Sequence, residues 1–117
     1  MIYSDLIRKQ PQEGEHFFAF STEQFNQGHE KMIRNFSLSA PKIYSAGAGL
    51  YGTREGIKAF FQYYQDRDKE IASTCSPQDV YNDEYSNHEC EYTGDDTEAM
   101  EIVKRIYGED VLIIRKN

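Results

Sequence analysis

Apolar residues recur at helical spacing in several parts of the chain, most regularly after Thr53. This stripe consists of Ile57, Phe60, Phe61 and Tyr64, which have the i, i+3, i+4, i+7 spacing of one helical face. Thr53 is a good N-cap residue, so the pattern predicts a helix to about Asp66, or on to Ile71. Ser76-Pro77 then breaks the helical pattern, because the residue before a proline disfavours helical backbone.

A second helix is predicted after Ser21, where Gln24 completes a capping box. One face of this helix carries Phe25, His29, Met32 and Ile33. A short helix at the N-terminus is predicted from Tyr3, Leu6 and Ile7, and it ends before Pro11. We interpret His29 as a half-buried, hydrogen-bonded residue of its helix rather than a catalytic base.

The last helix is predicted to begin at Asp95 or Asp96, where Asp95 and Glu98 can form a capping box. Its apolar face consists of Ala99, Ile102, Val103 and Ile106. Gly108 is placed to end it as a left-handed C-cap residue, because glycine adopts positive φ without strain.

Short apolar or aromatic runs predict the strands. His16–Phe20 and Val111–Ile114 are expected to be buried strands, and Lys42–Ala46 a short strand that leads into a run of glycines. The segment Gln78–Tyr92 is polar and aromatic, with a strand expected at each end.

Helices and strands therefore alternate irregularly, and the strands are too few for a doubly wound sheet. We predict an α+β fold, a single domain over residues 1–117, with a small sheet packed against the helices that follow Ser21, Thr53 and Asp95.

Composition supports a folded domain of this kind. The chain has 117 residues and only 38% hydrophobic residues, but 14% are aromatic, and each large ring buries roughly 150–250 Å². The N-terminal apolar stretch is interrupted by Asp5, and no run approaches the roughly 20 apolar residues that span a bilayer. A cytoplasmic protein without a membrane partner is expected, with Cys75 and Cys90 as free thiols.

Charge is the most informative functional signal. The chain has 20 Asp and Glu against 13 Lys and Arg, a net charge of −7, which argues against direct nucleic-acid binding because that requires cations. No Lys or Arg occurs from Glu70 to Val103, although ten carboxylates do. Tyrosines, which interfaces favour, lie among them.

We therefore predict that the acidic, tyrosine-bearing region from Gln78 to Glu101 binds a basic surface of another protein, with an ordinary solvated acidic face as the alternative. The predicted partner-binding residues are Asp79, Tyr81, Asp83, Glu84, Tyr85, Glu89, Glu91 and Tyr92.

The run Gly47 to Gly52 matches the glycine spacing of a dinucleotide-binding turn and precedes a helix. The alternative function is therefore a phosphate- or nucleotide-binding protein or enzyme that uses Gly47, Gly49, Gly52, Thr53 and Arg54. A dinucleotide fold requires a further parallel strand that carries an acid for the ribose, whereas Ser76-Pro77 and a polar stretch follow here. A structural glycine loop is the favoured interpretation.

Metal and catalytic patterns are weak. Cys75, His88 and Cys90 supply only three of the four ligands of a structural zinc site, and Asp66, Asp68 and Glu70 fit a solvated helix end better than a calcium loop. No catalytic residue, metal site or cofactor is predicted.

The chain also resembles small uncharacterised proteins of bacteria and their phages. The resemblance rests on the aromatic first strand, Ala46–Thr53, Asn87–Cys90 and Asp95–Ala99. It implies no activity, but small acidic proteins of mobile elements include inhibitors of host defence nucleases. The predicted function is a non-catalytic binding module, in its most specific form an inhibitor that occupies the nucleic-acid-binding surface of a host protein.

Overall fold

Helices and a small antiparallel sheet make up the computed structural model, which describes residues 2–87 and 90–116 but not the side chain of Glu91. The elements are α1 (Ile2–Arg8), β1 (His16–Phe18), α2 (Thr22–Phe36), β2 (Tyr44–Gly47), β3 (Leu50–Gly52), α3 (Arg54–Thr74), α4 (Pro77–Asn87), α5 (Cys90–Thr93) and α6 (Thr97–Tyr107). The predicted α+β class is confirmed.

The chain divides into two compact units. We call residues 11–65 the central unit, and residues 1–10 with 66–117 the terminal unit. The start of α3 belongs to the central unit and its second part to the terminal unit.

The sheet of the central unit has the strand order β1-β3-β2, with both pairs antiparallel. Successive side chains of a strand point to opposite faces, and β1 shows this clearly. Phe17 contacts the rings of Phe25 and His29 on α2. On the other face, His16 and Phe18 contact Phe60 of α3.

The predicted start of α2 is confirmed in detail. The Ser21 hydroxyl oxygen accepts a hydrogen bond from the Gln24 N–H, and the Gln24 side chain accepts one from the Phe20 N–H. The strand before it is shorter and less buried than expected, since β1 ends at Phe18 and the rings of Phe18 and Phe20 are exposed.

The terminal unit is built around a helical core. Its buried residues are Tyr3, Leu6, Ile71, Val80, Tyr81, Tyr85, Cys90, Ala99 and Val103. They come from α1, the second part of α3, α4, α5 and α6. The predicted N-terminal helix is confirmed, and the helix after Thr53 continues past Ile71 to Thr74.

The predicted strands in Gln78–Tyr92 are wrong. Ser76-Pro77 ends one helix and begins the next, because the Ser76 hydroxyl oxygen accepts a hydrogen bond from the Asp79 N–H and Pro77 occupies the first turn. Helix α4 therefore fills most of this segment.

The C-terminal part of the fold also differs from expectation. The expected strand Val111–Ile114 is not formed among the described residues, and its side chains alternate between half-buried and exposed. Helix α6 packs on α4 in the terminal unit. Gly108 has φ 102° and ψ 162°, outside the left-handed helical region, although its N–H still bonds to the Lys104 carbonyl.

Candidate functional site

The net negative charge of the protein comes entirely from one of its two units. The central unit contains five Asp or Glu and five Lys or Arg, so its net charge is zero. The terminal unit holds the other fifteen acidic and eight basic residues and carries the whole net charge of −7. The acidic surface predicted from the sequence therefore belongs to this unit.

Three of the predicted partner-binding residues are buried in its core. Tyr81 is fully buried, and Glu84 and Tyr85 are almost so. The hydroxyl of Tyr3 on α1 donates a hydrogen bond to the carboxylate of Glu84. These three side chains lie on the buried face of α4. They stabilise the fold and are not accessible to a partner.

Burial and hydrogen bonding also hold the phenols neutral. Desolvation, followed by the bond to Glu84, raises the pKa of Tyr3 far above its usual range, and desolvation raises the pKa of Tyr81. Both hydroxyls therefore act as donors to carboxylates at every pH near neutrality.

The remaining predicted residues are only partly brought together. Asp79 is exposed on α4, Asp83 is half-buried, and the ring of Tyr92 on α5 is 87% exposed. Glu89 lies outside the described residues, as does the side chain of Glu91. Of the predicted binding residues whose side chains are described, Asp79 and Tyr92 are therefore the two that are exposed to a partner.

Three more carboxylates, just before α6 and in its first turns, lie within the predicted region Gln78–Glu101 but were not among its named binding residues. Asp95, Glu98 and Glu101 are all exposed. Glu98 and Glu101 lie three residues apart on one face of α6, and Asp95 precedes the helix. Hydrogen bonds from the Thr97 hydroxyl and N–H lower the pKa of Asp95. The spacing of Glu98 and Glu101, outside the apolar stripe of this helix, was the signal that could have identified them.

Asp96, the residue after Asp95, has a side chain that points into the protein. It is almost fully buried, accepts a hydrogen bond from the Tyr81 hydroxyl at 2.8 Å, and binds the guanidinium of Arg115 with both oxygens. Asp96 therefore anchors the C-terminal segment and contributes little to the external field.

The predicted glycine loop is the turn of a β-hairpin. Gly47 pairs with Leu50, and the two residues between them, Ala48 and Gly49, both have positive φ, as a type I′ hairpin turn requires. Gly49 also lies under the Phe20 ring, where a Cβ atom would come within 2.5 Å of it. This geometry agrees with a structural glycine loop, because a dinucleotide motif joins a strand to a helix instead.

The other residues of the alternative site cap α3. The Thr53 hydroxyl accepts a hydrogen bond from the Gly56 N–H and donates one to the Glu15 carboxylate. The backbone of Gly52 lies close against that of Glu15, and the guanidinium of Arg54 lies over the Tyr44 ring. A carboxylate of the chain itself therefore already lies at this helix N-terminus.

Comparison with protein families gives one match, to a family of unknown function, DUF7659, over residues 4–113. This match spans nearly the whole chain and includes residues of both units. The chain belongs to the DUF7659 family. No curated protein and no solved structure matches it.

For this DUF7659 protein, the described residues contain no cluster of three or more His, Cys, Asp or Glu that could hold a metal ion. His88, the middle residue of the weak zinc pattern, lies outside them. Cys75 and Cys90 are free thiols, as expected, and burial raises the pKa of Cys90. In the same described part, no helix is long and apolar enough to cross a membrane.

Proposed function

We propose that this DUF7659 protein is a non-catalytic binding module whose terminal unit attaches to a basic surface of another protein. The observation that carries the proposal is the segregation of charge, with −7 on the terminal unit and zero on the central unit. A field of one sign over one unit steers and orients a partner of opposite charge.

The contact surface in this proposal differs from the one expected from the sequence. The residues proposed to contact the partner are the exposed Asp79 on α4, Tyr92 on α5, Asp95 before α6, and Glu98 and Glu101 on α6. A tyrosine ring supplies contact area at an interface, while carboxylates supply orientation.

The most specific form of the proposal is an inhibitor that competes with nucleic acid. Carboxylates spaced along a helix present negative charge where phosphates would lie, so a basic nucleic-acid-binding surface is a fitting partner. The resemblance to small proteins of bacteria and phages supports looking for such a partner among host nucleic-acid-binding proteins.

The experiment uses the 117-residue protein for affinity capture from bacterial extract. Capture is carried out at about 50 mM and about 200 mM salt, with and without added duplex DNA. We expect basic nucleic-acid-binding proteins to be retained at low salt, released at high salt and displaced by the DNA. Recovered partners are then purified and their affinity for the protein is measured directly.

Two triple variants with equal loss of charge provide the control. Asp79→Asn/Glu98→Gln/Glu101→Gln removes three exposed acids of the terminal unit, and Glu23→Gln/Glu30→Gln/Glu55→Gln removes three exposed acids of the central unit. We expect the first to weaken purified-partner binding about tenfold or more and to reduce its salt dependence, and the second to change both little. Equal effects of the two variants would show that the acidic unit has no specific role.

A further inference from the structure

A cleft of about 400 Å³ lies in the central unit, between α3 and the loop that precedes β1. The loop contributes residues 11–14, β1 contributes His16, and α3 contributes Ala59, Phe60 and Tyr63. Sites for small molecules have volumes of roughly 300–1,000 Å³ and are lined mainly by hydrophobic and aromatic side chains, with a few polar groups that orient the ligand. The cleft has the size and the composition of such a site.

One side of the cleft is an aromatic wall. The rings of His16 and Phe60 lie with their centroids 5.0 Å apart, and Phe60 and Tyr63 are three residues apart on one face of α3. All three rings are half-buried, so part of each is available for contact. Ala59 lies one turn before Tyr63, and its small side chain leaves space beside the rings. A flat ligand ring can therefore pack against Phe60 and Tyr63.

Two polar groups of the cleft have hydrogen-bonding capacity to spare. Within the described residues, the imidazole of His16 and the hydroxyl of Tyr63 form no hydrogen bond. A Cβ atom on Gly14 would come within 3.2 Å of the imidazole Nδ1, so the loop and the Phe60 ring both contact the imidazole. Packing thus holds in place a side chain whose nitrogens can still bond to a ligand.

The charges at the cleft favour an uncharged ligand. Among the described residues, no Lys or Arg lines it, so an anion such as phosphate finds no opposite charge there. The carboxylate that lines it belongs to Glu13, which is exposed and lies 3.3 Å from the Lys31 ammonium, so a cation gains little. Desolvation lowers the pKa of His16, and the uncharged imidazole has one donor and one acceptor nitrogen.

We propose that this cleft binds a small, uncharged heteroaromatic molecule. Its ring packs on Phe60 and Tyr63, and its donor and acceptor groups form hydrogen bonds with the imidazole of His16. All residues of the cleft belong to the central unit, whereas the proposed partner surface belongs to the terminal unit. Ligand binding and partner binding are therefore separate proposals, and either can fail while the other holds.

Titration of the 117-residue protein with three small aromatic probes tests the site. Near neutral pH, indazole is uncharged and has an N–H donor beside a nitrogen acceptor, benzoate is an anion and benzylamine is a cation. Each probe is added to about 5 mM while the NMR shifts of the protein are followed. We expect saturable shifts with indazole at residues of the cleft, with a Kd of about 1 mM or lower. Each charged probe should bind at least about fivefold more weakly.

Two outcomes of this titration overturn the proposal. One is the absence of saturable shifts at the cleft with indazole. The other is binding of benzoate or benzylamine that is as tight as that of indazole, because the charges at the cleft would then not select the ligand.

A matched pair of tryptophan variants tests the location of the site. Ala59→Trp places a large side chain in the cleft, and Ala72→Trp makes the same change at another exposed position of α3, which does not line the cleft. We expect the first to weaken indazole binding about tenfold and the second to leave it within about twofold of the parent. Tyr63→Ala, which removes part of the aromatic wall, should also weaken binding and replaces Ala59→Trp if that variant does not fold. Equal affinity in all three variants would mean that indazole binds elsewhere.

A matched pair of histidine variants tests the role of the imidazole. His16→Phe keeps a ring against Phe60 and removes both nitrogens. His29→Phe makes the same change at the half-buried histidine of α2, which contacts Phe17 on the other face of the sheet. We expect His16→Phe to weaken indazole binding about fivefold, through the loss of a hydrogen bond, and His29→Phe to change it less than about twofold. An unchanged affinity in His16→Phe would refute the hydrogen bond to the imidazole.

Discussion

The hydroxyl of Tyr81 on α4 donates a 2.8 Å hydrogen bond to Oδ2 of Asp96, the residue that precedes α6, and both side chains are buried. Asp96 also binds the Arg115 guanidinium, and the Tyr81 oxygen accepts a hydrogen bond from the Lys116 N–H. The hydrogen bond to Asp96 raises the pKa of Arg115, which stays charged. One buried pair thus joins α4, α6 and the C-terminal segment.

The first prediction concerns this pair. Tyr81→Phe removes the donor to Asp96 and the acceptor for Lys116 while it keeps the ring, and leaves a buried carboxylate with one partner fewer. We expect a loss of about 1–3 kcal/mol in the free energy of unfolding, measured by urea denaturation.

Tyr92→Phe is the matched control, because the same hydroxyl is removed from a ring that is 87% exposed. Its free energy of unfolding should stay within about 0.5 kcal/mol of the parent. If the two variants unfold at the same urea concentration, the hydrogen bonds of Tyr81 do not stabilise the fold as described.

The burial of these tyrosines shows where the sequence alone is insufficient. Tyr81, Tyr85 and Tyr92 all lie among carboxylates in the sequence, and nothing local separates the two buried rings from the exposed one. Glu84 is buried because Tyr3, 81 residues away, donates a hydrogen bond to it. Long-range partners of this kind decide which acids reach the surface.

Local signals, by contrast, predicted most of the helices. Ser21 with Gln24 and Thr53 with its apolar stripe both combine a cap with a regular face, and both helices begin where expected. The same kind of signal begins α4, where Ser76 caps and Pro77 follows. The sequence predicted only the end of a helix at that dipeptide, because the residue before a proline disfavours helical backbone. The buried face of α4 includes Glu84 and is not an apolar stripe, so periodicity did not indicate the next helix.

The second prediction separates two neighbouring rings on α3. Phe60 contacts the rings of His16, Phe18, Phe61 and Tyr64, whereas Phe61 is 47% exposed. We expect Phe60→Ala to cost about 3 kcal/mol and Phe61→Ala less than about 1 kcal/mol in thermal or urea unfolding. Equal losses would mean that the assigned face of α3 is wrong.

The third prediction concerns Gly56 in the first turn of α3. A Cβ atom there would lie 2.0 Å from the Glu15 carbonyl oxygen, so the backbone of Glu15 has to move. Gly56→Ala should therefore destabilise the protein, by about 1–3 kcal/mol, although alanine is the better helix former.

Ala72→Gly, at an exposed position of the same helix, is the control for propensity alone. It should cost about 0.5–1 kcal/mol. Stabilisation by Gly56→Ala would show that the approach of Glu15 to α3 is looser than described.

The last prediction is a pH dependence caused by His16. Burial beside the Phe60 ring lowers the pKa of His16 below its ordinary value of 6.5, so the unfolded chain binds a proton at a higher pH than the folded one. Between the two pKa values the unfolded state holds more protons, and the free energy of unfolding therefore rises with pH. The destabilising effect of His16 is absent above pH 6.5 and reaches its full size below the folded pKa.

His16→Phe keeps an aromatic ring against Phe60 and removes the titration. We expect the difference in free energy of unfolding between this variant and the parent to be constant above pH 6.5. It should shift in favour of the variant as the pH falls below that value, and then become constant again. Because all other groups titrate in both proteins, their contributions cancel in this difference. Parallel stability curves across this range would show that His16 titrates in the folded protein as it does in the unfolded chain.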